Sequence, residues 1–192
     1  MTQRVYDFIK RIQAMTTVER RIIHSSGRNE NDAEHSWHLA MMVWILAPYY
    51  EKKIDVARAI KMALMHDLVE LVVGDTPFFA DQTGKKDREL QAAHQLFDPL
   101  PKDLRDELLS LWHEFEEDKM AEAQFVKALD KLQPVLVNLM AEGRAWKEYE
   151  VSEATVRSHK EDVRTRGSVL RDLFDWMLDE GRKGKMFWDG EA

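Results

Sequence analysis

Residues 62–73 read Met-Ala-Leu-Met-His-Asp-Leu-Val-Glu-Leu-Val-Val, and this stretch decides the fold class. On a helix it is apolar on every side apart from His66, Asp67 and Glu70, which is typical of a central helix in an all-helical core. Burying these charges is costly unless a cation compensates them, and the stretch itself contains no Lys or Arg. His66 and Glu70 lie one helical turn apart, with Asp67 about 100° round the helix, so the three can converge on one cavity. We therefore expect a divalent cation at this point.

A His-Asp pair alone has a plainer interpretation, namely a hydrogen-bonded core histidine beside a salt bridge between helices. Two further groups favour the metal site. His35 lies in the first turn of an amphipathic helix, and histidine is the commonest protein metal ligand. Asp130 borders the apolar stripe of a later helix, where its plainer interpretation is a solvated carboxylate paired with Lys127.

The rest of the chain repeats the helical pattern, because apolar residues recur at spacings of three and four through most of its length. This predicts an all-α fold of about seven helices in one domain, residues 1–180, followed by a loosely attached tail, residues 181–192. No strand pair is expected. The predicted helices lie near residues 3–15, 33–50, 55–73, 87–97, 103–116, 121–142 and 152–179.

The ends of these helices carry recognisable capping residues. Asp32, Asp55 and Ser152 are the expected N-caps of three helices, while Gly74 and Gly143 stand where left-handed C-terminal caps are expected. The segment 74–84 contains two glycines and a proline, so we expect a loop there, and such loops often border active sites.

Composition excludes several classes of protein and site. The 192 residues include no cysteine, so any metal must be bound by nitrogen and oxygen. A net charge of -7 argues against a nucleic-acid polymer as partner, because such proteins usually present a basic surface. No apolar stretch is long enough to cross a membrane and no leader is apparent, which predicts a cytoplasmic protein.

The order of these groups along the chain resembles the HD-domain superfamily of metal-dependent phosphohydrolases. The likeness extends from about residue 4 to residue 178 and includes the flanking residues. Within the superfamily the pattern is similar to the branch of the YfbR-type 5′-deoxynucleotidases and their eukaryotic relatives, which hydrolyse nucleoside 5′-monophosphates. The matching segments are residues 30–37 (Glu-Asn-Asp-Ala-Glu-His-Ser-Trp), residues 65–70 (Met-His-Asp-Leu-Val-Glu) with Gly74-Asp75, and residues 125–132 (Phe-Val-Lys-Ala-Leu-Asp-Lys-Leu).

The resemblance implies a role for each matching residue. It assigns Glu70 and Asp75 to acid-base chemistry and Arg20 to the substrate phosphate, for which Arg21 and Arg28 are rivals. One divalent ion is implied, and Mn, Co, Zn, Fe or Mg would suit its nitrogen and oxygen donors. The implied ligands of that ion are His35, His66, Asp67 and Asp130.

Several alternatives stay open at this level. Arg21 stands where the YfbR branch has a tryptophan against the sugar, so the choice between ribose and deoxyribose is open. His94 and His113 match no motif for a second metal, and we interpret His38 as a side chain that orients a ligand. The protein could instead be a non-catalytic module that senses a nucleotide or is braced by its metal, or a hydrolase of another nucleotide or phosphomonoester. Aromatic residues that we expect to be exposed suggest a homodimer face, at Trp146, Tyr149, Trp176 and Trp188.

Overall fold

The computed structural model describes residues 3–74 and 84–190, and within these ranges the fold is predominantly α-helical. The predicted fold class is confirmed. The helices are α1 Gln3–Ile12, α2 Asp32–Leu46, α3 Val56–Met65, α4 Glu70–Val73, α5 Lys85–Phe97, α6 Lys102–Glu117, α7 Ala121–Met140, α8 Arg144–Glu148, α9 Glu153–Lys160 and α10 Ser168–Lys183.

Helix α7 is the centre of the core. Its predicted apolar stripe is buried, with Phe125, Leu129 and Leu132 fully inaccessible to solvent. Helices α2, α3, α6 and α10 pack around it. Because α7 is covered on several sides, Asp130 is held close to groups from other helices.

The N-terminus of α2 is fixed by a capping box. Asn31 Oδ1 accepts a hydrogen bond from the backbone N–H of Glu34 at 3.1 Å, and the Glu34 side chain accepts one from the Asn31 N–H. The prediction that Asp32 caps this helix is wrong, because Asp32 is the first helical residue and its side chain is fully buried. The caps predicted at Asp55 and Ser152 are confirmed.

The predicted helix 55–73 is not continuous. A 3₁₀ turn, His66–Val69, separates α3 from α4. In this tighter winding residues three apart stand above one another, which aligns Asp67 with Glu70 rather than His66 with Glu70. Gly74 ends α4 as predicted, but with φ 74° and ψ 162° it does not adopt the left-handed helical conformation expected of this cap. The remaining part of the predicted loop, residues 75–83, lies outside the described residues.

The expectation of no strand pair is wrong. Strand β1, Glu19–Ile23, pairs antiparallel with β2, Asn29–Asn31. The hairpin is short and mostly polar, so it carries little of the apolar alternation by which strands are recognised. It places Arg20 and Glu30 on the inner face, beneath the start of α2.

The last predicted helix, 152–179, is divided into α9 and α10 by a 3₁₀ turn, Glu161–Thr165, and by Gly167. A Cβ at Gly167 would lie 2.7 Å from the ring of Tyr50, so this position has no room for a side chain. The carboxylate of Glu51 accepts a hydrogen bond from the Ser168 N–H at 2.8 Å and so caps α10 from a distant part of the chain.

The segment after α10 returns to the core. The Phe187 ring stacks on Trp146 with centroids 4.5 Å apart, and the Trp188 N–H donates to the Val151 carbonyl. Trp146 is therefore only 5% exposed, which corrects the expectation that it contributes to an exposed aromatic face. None of the helices in the described parts of the chain is long and apolar enough to cross a membrane.

Candidate metal centre and its cavity

His35, His66 and Asp130 meet at one point, although they come from α2, from the 3₁₀ turn after α3 and from α7. His35 Nε2 lies 3.0 Å from Asp130 Oδ1, and His66 Nε2 lies 3.7 Å from the same oxygen. Asp67 adjoins both imidazoles, with Oδ1 3.1 Å from His66 Nε2 and Oδ2 3.7 Å from His35 Nε2. The structure therefore brings the four residues together. The salt bridge considered for Asp130 is absent, because the ammonium of Lys127 lies against Glu116 instead.

Buried hydrogen bonds fix which ring nitrogen of each histidine faces this point. Gln133 Nε2 donates to Glu30 Oε1 at 2.6 Å, so Gln133 Oε1 is the acceptor that faces His35 Nδ1 at 3.0 Å. His66 Nδ1 donates to the Ala63 carbonyl at 2.9 Å. In both rings the Nδ1 proton is used away from the centre, which leaves each Nε2 directed at the carboxylates.

Arg20 joins this centre to the hairpin. Its Nη1 lies 3.0 Å from Asp67 Oδ2 and 3.2 Å from Asp32 Oδ1, while its Nε lies 3.5 Å from Glu30 Oε2. Glu30 and Asp32 are fully buried, so the guanidinium compensates two carboxylates that have no access to water. The residue predicted to meet a phosphate is thus held in place by three carboxylates.

Glu70 belongs to a second acidic group. Ligand atoms of Asp32, Asp67 and Glu70 lie within 4.8 Å of one another. Arg20 already supplies a positive charge to two of these three residues, whereas the imidazole-containing group has no Lys or Arg in salt-bridge contact with Asp130 within the described ranges. A divalent ion is therefore better matched to the group that contains His35, His66 and Asp130. Asp75 lies outside the described residues.

The charges in the centre are strongly coupled. Burial alone would lower the pKa of His66, but Asp67 and Asp130 raise it well above its ordinary value. Burial would raise the pKa of Asp130, but hydrogen bonds and charge from the two imidazoles hold it well below its usual range. Burial and the neighbouring Asp67 raise the pKa of Asp32 to about 6, against the opposing effect of Arg20. A proton shared with the carboxylates supplies the positive charge that this cluster requires.

A divalent cation fits the same position. His66 Nε2 is buried and has no hydrogen-bond partner among the described residues. His35 Nε2 faces Asp130 Oδ1 at 3.0 Å, a contact between a lone pair and a carboxylate that is favourable only with a proton or a cation between them. Two imidazole nitrogens and two carboxylate oxygens also leave coordination positions open, as in catalytic sites.

A cavity of about 530 Å³ opens beside the centre. Its polar side is formed by Arg20, Asp67, Glu70 and Asp130, with the basic side chains of Arg21, Lys85, Lys131 and Lys160 nearby. Most of the rest of the lining comes from α7, α8, α9 and the segments between them. It is mainly apolar and aromatic (Pro134, Val135, Ala145, Trp146, Tyr149, Val151 and Val156), with Asn138, Thr155 and His159 as polar members. A molecule with a charged end and a flat apolar end matches this division.

Other candidates from the sequence lie elsewhere. Arg28 forms a two-pronged ion pair with Glu34, at 2.6 and 2.7 Å, and does not line the cavity, whereas Arg21 does. His94 and His113 are exposed on α5 and α6 and join neither acidic group. His38 reaches His35 only through Gln133, whose Nε2 lies 3.1 Å from His38 Nδ1.

Sequence reasoning missed the residues that hold the ligands. Gln133, Glu30 and the buried side chain of Asp32 orient His35 and Arg20, and Lys160 lines the cavity. Gln133 does follow Asp130 at a spacing of three, which places it on the same face of α7, and this spacing was the available signal.

Comparison with known proteins identifies the family. The model of the HD domain family matches residues 12–169, which is most of the chain. The human protein named 5′-deoxynucleotidase HDDC2 is 37% identical over 112 residues, which cover 57% of this chain and 53% of that protein. The Enterobacter protein named 5′-deoxynucleotidase Ent638_2835 is 26% identical over 144 residues, 65% of this chain and 72% of that one. The match spans about half the length of the human relative.

Solved structures agree over nearly the whole length. A protein from Magnetospirillum magnetotacticum, described as a predicted metal-dependent phosphohydrolase, is 36% identical with a TM-score of 0.88, and the match covers 97% of this chain and 95% of that one. The PH0347 protein of Pyrococcus horikoshii is 25% identical with a TM-score of 0.63 over 92% and 98% of the two chains. The chain therefore belongs to the HD domain family.

Proposed function

We propose that this chain is a metal-dependent phosphohydrolase that removes the 5′-phosphate from nucleoside monophosphates, with deoxyribonucleotides as the preferred class. The convergence of two imidazoles and two carboxylates at the polar end of a 530 Å³ cavity is the observation that supports this most directly. The relatives named 5′-deoxynucleotidase in human and Enterobacter support the substrate class.

One divalent ion would be held by His35, His66, Asp67 and Asp130. Bound there, the ion would lower the pKa of the attacking water and neutralise charge on the phosphoryl group. The protein side chains have separate tasks. Gln133 and the Ala63 carbonyl hold the imidazoles so that the lone pair of each Nε2 is available to the metal ion.

Arg20 would bind the phosphate of the substrate, and Glu70 would handle the proton of the attacking water. Arg20 has a planar guanidinium suited to two phosphate oxygens, and its existing ion pairs hold it rigidly at the edge of the cavity. Glu70 lines the same cavity and would accept or orient the proton of the attacking water. We assign protonation of the leaving 5′ oxygen to Asp75, on the basis of the resemblance alone.

The apolar side of the cavity supports a nucleoside rather than a simple alkyl phosphate. Trp146 and Tyr149 offer aromatic surface, and Arg21 lies in the cavity wall where the YfbR branch has a tryptophan. The effect of residue 21 on the choice between ribose and deoxyribose can be tested with one substitution, Arg21→Trp. If Arg21 weakens selection for deoxyribose, this variant raises the ratio of kcat/KM for dAMP to that for AMP.

The experiment is a phosphate-release screen over ribo- and deoxyribonucleoside monophosphates, with chelator-stripped protein and each of Mn, Co, Zn, Fe and Mg added back. We expect release that depends on the metal. Glu70→Gln should lower kcat by about 10² to 10⁴-fold while metal affinity is kept. A non-catalytic, metal-braced or nucleotide-sensing module would show no release from any nucleotide, and release from only another phosphomonoester would change the substrate class.

The assembly and location are part of the proposal. A homodimer is supported by exposed aromatic side chains, with Trp176 50% exposed and Tyr149 36% exposed. Light scattering of the purified protein tests this, and a monomer at micromolar concentration would overturn it. We also propose that the protein is cytoplasmic. Its partner would be a small nucleotide substrate and not a nucleic-acid polymer.

A further inference from the structure

Most cations that line the cavity have a carboxylate close by. Lys131 Nζ lies 2.7 Å from Asp162, and Lys85 Nζ lies 3.4 Å from Glu89. Arg20 is bound to three carboxylates, as described above. Carboxylates of the protein therefore balance the positive charges of these three side chains.

Lys160 differs from them. It is the last residue of α9, it is partly buried, and it lines the same cavity. Its ammonium forms no hydrogen bond and has no carboxylate oxygen within 4.0 Å in the described parts of the chain, in contrast to the cation of Lys131. The C-terminal end of a helix favours a cation, which helps to hold the charge at this position.

The electrostatic surroundings place Lys160 near the metal centre. Burial lowers the pKa of its ammonium to about 8, and Asp130 opposes this lowering more than any other group. The positive charges of Lys131 and Arg20 lower it further. The ammonium therefore senses both a candidate metal ligand and the candidate phosphate ligand Arg20, without forming a direct pair with either.

An unpaired, partly buried ammonium loses part of its hydration, so an anion in the space in front of it would stabilise its charge. A phosphate group carries a charge of about -1.5 to -2 at neutral pH, and its oxygens are strong acceptors. Arg20 is already shared among Glu30, Asp32 and Asp67, so it has limited charge left for such a group. A second cationic side chain beside the centre would add to the positive charge that the proposed metal ion and Arg20 offer to such a group.

We propose that Lys160 contacts the phosphate group of the bound ligand, as a second cation beside Arg20. This inference rests on the proposed function, because it adds a phosphate contact to that same site. A lysine suits the task since its flexible stem lets a compact charge follow the phosphate as the bond to the sugar breaks.

The test is calorimetric binding of inorganic phosphate and of dAMP to the metal-loaded full chain, with turnover of dAMP suppressed by short exposure at low temperature. Lys160→Met keeps the length of the side chain and removes the charge. We expect affinity for both ligands to fall about 10-fold or more, with partial recovery in Lys160→Arg and unchanged affinity for the metal. Lys127→Met, a partly buried lysine outside the cavity that pairs with Glu116, is the control and should match the wild type.

Wild-type affinity in Lys160→Met, or absence of phosphate binding to the wild type, would overturn the inference. A loss for dAMP alone would also overturn it, because Lys160 would then contact the nucleoside. The proposed function is judged separately by phosphate release. If Lys160→Met turns over dAMP with an unchanged KM, the proposed hydrolase function stands and the role of Lys160 is rejected. If phosphate binding depends on Lys160 but no nucleotide is hydrolysed, the role of Lys160 stands and the proposed function is rejected.

Discussion

His35 Nδ1 lies 3.0 Å from Gln133 Oε1, and both side chains are fully buried although they stand 98 residues apart in the sequence. Glu30 accepts a hydrogen bond from Gln133 Nε2, so the side-chain amide of Gln133 cannot rotate by 180° and exchange its oxygen and nitrogen. This contact sets the tautomer of His35 and directs its Nε2 at Asp130.

Replacing Gln133 should therefore weaken metal binding. In Gln133→Leu the volume is nearly kept but the acceptor for His35 Nδ1 is lost, and we expect the affinity for Mn or Co to fall about 10 to 100-fold. Titration calorimetry on chelator-stripped protein measures this. Asn138→Leu, a buried amide on the same helix that bonds the Pro134 carbonyl, is the control and should bind metal as the wild type does.

Arg20 should be needed for stability as well as for the substrate. Arg20→Met leaves Glu30, Asp32 and Asp67 buried without their shared cation, and we expect a loss of about 3–5 kcal/mol in the free energy of unfolding. Urea unfolding at pH 7 gives the value. Arg28→Met removes an exposed ion pair to Glu34 and should cost much less than Arg20→Met. Equal effects of the two changes would contradict the role given to Arg20.

Lys160 gives a pH dependence whose sign is opposite to that of a structural ion pair. The pKa of its ammonium is lowered from 10.5 to about 8 in the folded chain, so the charged form is disfavoured by folding. Its unfavourable contribution is fully present below pH 8 and disappears as the pH rises from about 8 to 10.5. Lys160→Met should therefore be more stable than the wild type at pH 7, by about 1–3 kcal/mol, and this gain should shrink by pH 10.

The measurement is urea unfolding of both metal-free proteins at pH 7 and pH 10. Lys127→Met serves again as the control, since Lys127 pairs with Glu116 and its loss should bring no gain. A Lys160→Met variant less stable than the wild type at pH 7 would mean that this ammonium is part of the structure and not reserved for a ligand.

The segment after α10 should contribute to stability through one aromatic contact. Phe187 stacks on Trp146, which also lines the cavity, so Phe187→Ala removes support from that wall. We expect a cost of about 1–3 kcal/mol, since Phe187 is only partly buried. Thermal unfolding checks this, with Tyr49→Ala as the control because Tyr49 is 69% exposed. An unchanged melting temperature in Phe187→Ala would support a loosely attached tail.

The sequence predicts the parts of this fold that depend on local periodicity. The helices α5, α6 and α7 lie within a few residues of their predicted bounds, because each carries a clear apolar stripe. The 3₁₀ turn at His66 does not show in that pattern, since the neighbouring residues are apolar on all sides and fit either winding. The β hairpin is equally hidden, because its strands are short and mostly polar.

The residues of the candidate site also differ in how readily the sequence reveals them. The four candidate ligands are conspicuous in sequence because charged side chains interrupt apolar helices or border them. Gln133, Glu30 and Lys160 are not, because an amide or a charged residue at these positions fits an ordinary polar helix face or strand. The importance of Gln133 and Glu30 follows from their hydrogen bond across 103 positions of the sequence, and that of Lys160 from its place in the cavity wall. Only the folded chain reveals either.

The most direct test of the metal centre is a crystal of the chelator-stripped protein soaked with Mn or Co, with anomalous diffraction recorded at the absorption edge of the metal. The account predicts one strong peak bonded to His35 Nε2, His66 Nε2 and carboxylate oxygens of Asp67 and Asp130, at about 2.0–2.2 Å. A peak at other residues only, or none in a protein that still hydrolyses nucleotides, would contradict it.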